Sequence, residues 1–300
     1  MVESIAFLAV VGAVSSGLLY TVAKKFRVEE DPRIDEVNEA LPQANCGGCG
    51  FPGCRGFAEA CVKSDTLDGL FCTVGGNDTM AKVGQILGRT VTAEDKKIAV
   101  VRCNGSCDHR PRTNLYDGVK SCSIAAQLYG GETGCQFGCY GMGDCTLVCD
   151  FDAIHMNKET GLPEVDEWKC TACGKCVKAC PKMIIELRKQ GPVGKSATGG
   201  KRVYVSCVNK DKGAVSRKAC EVSCIGCGLC FKECKFEAIT VENNLAFIDS
   251  AKCRLCRKCV PVCPTGAIHE LNFPALKPKE PKADAAEAAP RAASSDLLAN

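Results

Sequence analysis

The chain has 300 residues, 46% of them apolar and 24% charged, with a net charge of +3 and no basic block long enough to suggest nucleic acid as a partner. Twenty-six residues are cysteine, a density otherwise met in small disulfide-stapled secreted domains. The N-terminus excludes that class.

Residues 5–23, IAFLAVVGAVSSGLLYTVA, are an uncharged run of the length that crosses a bilayer as a helix. Glu3 precedes it, and Lys24, Lys25 and Arg27 follow it. A signal peptide carries its positive charge ahead of the apolar segment, so the pattern predicts an uncleaved, single-pass anchor over residues 1–26. The positive-inside rule then leaves the remaining chain in the cytoplasm, where thiols stay reduced and available to metal. Gly12 with Ser16, and Ala13 with Gly17, are small residues four apart, a spacing that predicts close packing on a partner helix.

After the polar exit FRVEEDPR comes a small module over residues 29–90. It holds Cys46, Cys49 and Cys54 in a glycine-rich loop and Cys72 much later. Glycine lets such a loop approach a bound group closely and turn its N–H groups toward sulfur. Cys61, four residues after Phe57 on a predicted helix, reads as a small core residue. TMAKVGQILG has apolar positions at helical spacing and Gly88 to close it, and KIAVVRC reads as a buried strand. Residues 91–130 carry that strand and a connecting region with Cys103, Cys107 and Cys122.

Residues 131–190 and 203–270 each contain two cysteine runs. The first pair has Cys135, Cys139, Cys145 and Cys149, then Cys170, Cys173, Cys176 and Cys180. The second has Cys224, Cys227, Cys230 and Cys234, then Cys253, Cys256, Cys259 and Cys263. Three cysteines two residues apart, a fourth after three more and a following proline form the bacterial ferredoxin run, whose thiolates wrap an iron–sulfur cluster. Structural zinc normally takes two separated pairs of ligands and fits this spacing poorly. The tails DFDAIHM, PKMIIEL, KFEAITV and PTGAIHE repeat after the runs, so the chain reads as two ferredoxin-like pairs in tandem. The first run departs from the pattern, with three and five residues between ligands and Asp150 in place of proline.

In a ferredoxin pair the fourth cysteine of each run completes the cluster of its sister. Cys263 is thus expected with Cys224, Cys227 and Cys230, and Cys234 with Cys253, Cys256 and Cys259. The same crossing puts Cys180 with Cys135, Cys139 and Cys145, and Cys149 with Cys170, Cys173 and Cys176. Five clusters use about 20 thiols and six about 24. A sixth is expected on Cys103, Cys107, Cys122 and one of Cys207 or Cys220, because so many unpaired thiols would be an oxidation liability.

Between the pairs, residues 191–202 read as a flexible linker; GPVGKSATGG mimics a phosphate loop, but Lys189 stands where that motif needs glycine. With no GxGxxG opening a βαβ unit, no direct NAD or flavin site is expected. His109, His155 and His269 are isolated and receive no ligand role, and Trp168 is expected in the core. Residues 271–300 are Pro-, Ala- and charge-rich and read as a disordered tail. Arg254, Arg257 and Lys258 sit between ligands of the last run. They either offset the cluster's negative charge or form a rim that steers an acidic protein toward it.

The anchor helix, the CGGCGFPGC…C module and the tandem repeats, in that order, resemble the B subunit of the Rnf ion-translocating ferredoxin:NAD oxidoreductase in its longer, cysteine-rich form, over about residues 1–270. The resemblance implies an α+β chain whose Cys46, Cys49, Cys54 and Cys72 bind a first [4Fe–4S] cluster, with further clusters on the ferredoxin runs. It also implies a subunit at the bacterial inner membrane, with no complete active site of its own. Such a subunit takes electrons from reduced soluble ferredoxin and passes them to membrane partners that reduce NAD and move Na⁺ or H⁺. The alternatives are an iron–sulfur subunit of another membrane oxidoreductase and a corrinoid-linked iron–sulfur protein.

Overall fold

Residues 2–25, 31–128, 130–194 and 199–274 are described by the computed structural model. Part of the polar exit, residues 195–198 of the expected linker and the tail from residue 275 lie outside them. The apolar run falls in helix α1 (Val2–Lys25), exposed from Ala9 onward, with open space around Gly12 and Gly17. The side chains at positions 4–6 and 8 lie outside the described residues, and among the described residues no helix is long and apolar enough to cross a membrane.

Three helices build the small module: α2 (Arg33–Ala40), α3 (Cys54–Lys63) and α4 (Gly76–Leu87). Ile34, Val37 and Leu41 recur along one face of α2 and its end, and they meet Phe57, Cys61, Met80 and Val83 in a single apolar core. Cys61 is fully buried there. Gly88 closes α4 at φ +63°, and Arg89 N–H donates to Gly84 O at 2.8 Å, the bond of a Schellman cap. The Arg89 guanidinium then reaches Cys61 O at 2.6 Å and ties α4 to α3.

The remaining elements repeat a pattern twice. In the first half, β1 (Lys97–Val101) is followed by α5 (Cys122–Leu128), α6 (Asp144–Leu147), β2 (Ile154–Met156), β3 (Pro163–Val165), α7 (Lys175–Ala179) and β4 (Ile185–Lys189). In the second, β5 (Arg202–Val205) is followed by α8 (Gly213–Ala219), α9 (Leu229–Glu233), β6 (Ile239–Glu242), β7 (Leu245–Ile248) and β8 (Ile268–Leu271). Each half has an inner antiparallel hairpin, β2–β3 or β6–β7, and an outer ribbon from its first and last strands, β1–β4 or β5–β8. Asn243 and Asn244, both at positive φ, make the two-residue turn of β6–β7. The repeat extends to single dihedrals. The third residue after the last cysteine of each run is left-handed: Asp152 at φ +48°, Met183 at +50°, Glu237 at +50° and Gly266 at +66°.

Two sequence expectations change. Trp168 is 60% exposed, with Lys96 Nζ 5.9 Å from its ring centroid. Asp166 accepts Trp168 N–H at 2.9 Å after β3, a turn that sends the indole out and its neighbour Glu167 in. The ends of the expected linker are also held, since Val193 bridges Gly200 and the buried Glu167 carboxylate accepts from Gly200 N–H at 2.8 Å, Arg202 at 2.5 Å and Asn272 at 3.2 Å.

Phe57 lies at the centre of the helical module, so Phe57→Ala is expected to cost about 3–5 kcal/mol there. Denaturant unfolding should show an earlier transition for the module and an unchanged one for the two ferredoxin halves.

Candidate iron–sulfur sites

A chain that wraps four thiols around one centre must reverse direction twice in a few residues. In each regular run it does so on both sides of the second cysteine. Ala172 (φ +55°) and Gly174 (+77°) flank Cys173, Gly226 (+65°) and Gly228 (+73°) flank Cys227, and Leu255 (+56°) and Arg257 (+65°) flank Cys256. Third cysteines follow at once, Cys176 on α7 and Cys230 on α9.

The fourth cysteines face the sister runs. Burial pushes the Cys230 thiol up to about 11, and the neighbouring thiols of Cys224, Cys263 and Cys227 push it the same way. Cys176 is likewise raised to about 11 by burial and then by Cys170, Cys173 and Cys149. Cys253 is raised by burial, with Cys256 and Cys234 adding to it. Cys259, raised to about 12 by burial, has Cys253 and also Cys230 of the sister run beside it.

The irregular first run has the same frame with one ligand missing. Gly141 (φ +77°) and Gly143 (+87°) flank Met142, which therefore stands where the other runs have their second cysteine. Five residues separate Cys139 from Cys145, as they separate Cys170 from Cys176 and Cys224 from Cys230. The thiol that fills the gap comes from far along the chain. Cys122, Cys139, Cys145 and Cys180 line one cavity. Cys122 is fixed by Asp144, whose carboxylate accepts N–H groups of Cys122 at 2.9 Å and Ser123 at 3.0 Å and the Ser121 hydroxyl at 2.9 Å. Burial alone would raise the Asp144 pKa, yet these donors together hold it below the ordinary carboxylate value.

Cys135, expected in that set, lies elsewhere, in a cavity with Cys103, Cys207 and Cys220. Cys107 is not with them: it is exposed, and a Cβ built at Gly161 would stand 2.7 Å from its sulfur. In the helical module, Cys46, Cys49, Cys54 and Cys72 line a third cavity. Asn45 Oδ1 accepts Cys54 N–H at 2.9 Å, and Gly75 N–H donates to Cys72 Sγ at 3.3 Å. Other sulfurs also accept backbone N–H groups, Cys170 from Ala99, Cys224 from Ala246 and Cys149 from Ala153, each at 3.4 Å. Among the described residues, no group of three or more His, Cys, Asp or Glu side chains gathers to hold a single metal ion; the thiols stand around cavities.

The sets form a file. A Cβ at Gly48 of the module loop would stand 2.9 Å from Cys173 Cα, so nothing larger than glycine fits between them. Cys145 lies beside Cys176, Cys139 N–H donates to Cys103 Sγ at 3.5 Å, and Cys207 lies beside Cys224. At the far end Arg257 is committed, paired with Glu270 and stacked 4.8 Å from the Phe273 ring, while Arg254 and Lys258 are exposed.

Residues 41–67 match an Fe-S cluster family, and residues 137–185 and 223–267 match two families of 4Fe-4S dicluster domain. With the repeated ligand loops, these define the chain as an iron–sulfur electron-transfer protein built on ferredoxin-like domains. It is 46% identical over 265 residues to the B subunit of the Na(+)-translocating ferredoxin:NAD(+) oxidoreductase complex of Acetobacterium woodii, covering 88% of this chain and 76% of that one. It is 40% identical to the B subunit of the ion-translocating oxidoreductase complex of Methanosarcina acetivorans, over 89% of this chain and 97% of that one. It is 38% identical to the B subunit of the proton-translocating ferredoxin:NAD(+) oxidoreductase complex of Clostridium ljungdahlii, over 87% and 89%. The chain belongs to this family, the B subunits of Rnf-type ion-translocating oxidoreductase complexes.

Burial separates the thiols chemically. With iron removed under non-denaturing conditions, exposed Cys107 should alkylate well before Cys207, which burial raises to about 12. Raising the pH toward that value should narrow the difference, measured peptide by peptide by mass spectrometry.

Proposed function

We propose that this chain is a membrane-anchored electron relay that accepts electrons from a reduced soluble ferredoxin and delivers them to the membrane partners of its complex. The observation that carries the reading is the unbroken file of thiol sets from the helical module to the last run. Bound on these thiolates, [4Fe–4S] clusters supply one-electron redox chemistry. Five sets are assigned on this reading. They are Cys46, Cys49, Cys54 and Cys72; Cys149, Cys170, Cys173 and Cys176; Cys122, Cys139, Cys145 and Cys180; Cys224, Cys227, Cys230 and Cys263; and Cys234, Cys253, Cys256 and Cys259. Backbone N–H groups aimed at sulfur favour the thiolate form and the reduced state of what it binds.

The apolar sequence of residues 5–23, followed by Lys24, Lys25 and Arg27, supports a single-pass anchor with the ferredoxin halves in the cytoplasm. Gly12 and Gly17, with nothing against them among the described residues, support a face that packs on a partner helix. Nucleotide chemistry belongs to the partners on this reading, since the sequence has no dinucleotide-binding fingerprint.

Electron entry is assigned to the last run, where Arg254 and Lys258 form an exposed positive rim beside the thiols. Ferredoxins are small acidic proteins, and such a rim speeds their encounter. Arg254→Glu with Lys258→Glu should slow ferredoxin-dependent reduction at low salt, with the deficit shrinking as ionic strength rises. An equal loss with a small uncharged reductant would assign the two cations to local tuning instead.

The ligand exchange in the first run has its own test. Cys122→Ser should remove one cluster, read as lost iron and a missing component in the electron paramagnetic resonance spectrum. Adding Met142→Cys, which restores the regular spacing, should bring it back. For the anchor, Gly12→Leu with Gly17→Leu should release the chain from its partners on purification while leaving it in the membrane fraction.

A further inference from the structure

We infer that Cys103, Cys135, Cys207 and Cys220 hold a sixth [4Fe–4S] cluster, which joins the two ferredoxin halves. The inference rests on the iron–sulfur reading above and adds a site that no ferredoxin run contains. Its ligands come from both halves: Cys103 and Cys135 from the first, Cys207 and Cys220 from the second. Cys103 stands two residues past β1 and Cys207 two residues past β5, equivalent places in the repeat. The two exits are joined directly, since Asn104 N–H donates to Ser206 O at 3.1 Å and the Arg102 guanidinium donates to Cys207 O at 3.1 Å.

The cavity matches the others. Like the two further cavities that four cysteines line, it is walled by thiols drawn from separate stretches of the chain. Gly105 sits between two of the thiols, so that a Cβ there would stand 3.2 Å from Cys220 Sγ and 3.8 Å from Cys103 Sγ. Asn209 donates to two sulfurs, its backbone N–H to Cys207 at 3.5 Å and its side-chain amide to Cys135 at 3.6 Å.

An independent observation points to a negative occupant. Arg110 lines the cavity at 6% exposure, and its Nε has no hydrogen-bond partner. A buried guanidinium is costly unless an opposite charge offsets it. A [4Fe–4S] cluster with four thiolate ligands is negative overall and meets that need. One zinc ion, at about 2.3 Å from each sulfur, would need the four thiols gathered around a single point, and among the described residues no three such side chains are so gathered.

The set also stands where the file passes between halves, with Cys139 of the first half beside Cys103 and Cys224 of the second beside Cys207.

Iron and acid-labile sulfide are counted on the full-length chain purified without oxygen. The unaltered chain should carry about 24 iron and 24 sulfide rather than about 20 of each. Cys207→Ser and Cys220→Ser should each lose about four of both, with one spectral component missing from the reduced protein and the rest retained. Cys107→Ser should lose none. About 20 iron in the unaltered chain, no loss in either variant, or one zinc in place of four iron would each overturn this site while leaving the relay intact. A chain free of iron would overturn the relay reading itself. If the serine variants fail to fold, the count on the unaltered chain still decides between five clusters and six.

Discussion

Two-stranded ribbons cannot bury enough apolar surface to hold themselves together, and among the described residues this chain has no wider sheet. What fills the missing core is sulfur. Cys139, Cys145 and Cys170 belong to the apolar centre of the first half, and Cys207, Cys224, Cys230 and Cys259 to that of the second. Burial raises several of these thiols far above their ordinary pKa, to about 12 for Cys139, Cys145, Cys207 and Cys259. Without metal they are therefore protonated at neutral pH, and iron must displace those protons to bind. Metal loading and proton release are therefore one coupled event at these thiols.

Much of this was legible in the sequence because ligand loops are local. The regular runs, their repeated tails, the helix closed by Gly88, the strand before Cys103 and the buried Cys61 all follow from spacing within a few residues. What was not legible depends on long-range closure. Cys122 and Cys135 lie in opposite cavities from those their sequence neighbours suggest, since α5 folds back under the control of Asp144. A signal was present in the five residues between Cys139 and Cys145, the spacing of first and third ligands, with glycines on both sides of Met142. Trp168 carried no comparable signal: whether it or Glu167 turns inward depends on Arg202 and Asn272, from the other half.

Arg257 shows the same limit on a smaller scale. As a sequence it is one of three cations on a loop; in the fold it occupies a left-handed position that Gly174 and Gly228 fill in the sister runs. A non-glycine residue there carries strain, and the pairing with Glu270 and the stack on Phe273 hold it in place. The charges left facing solvent are Arg254 and Lys258.

The Glu167 carboxylate has a consequence beyond its own hydrogen bonds. One buried acid from the first half grips the beginning of the second half through Gly200 and Arg202 and its end through Asn272, while Arg102 and Arg188 of the first half stack on Phe247 of the second at 5.1 Å and 5.0 Å. These contacts tie the first half to both ends of the second. Where a carrier on a hinge delivers charge by travelling, halves tied in this way would pass it across gaps set when the chain folds.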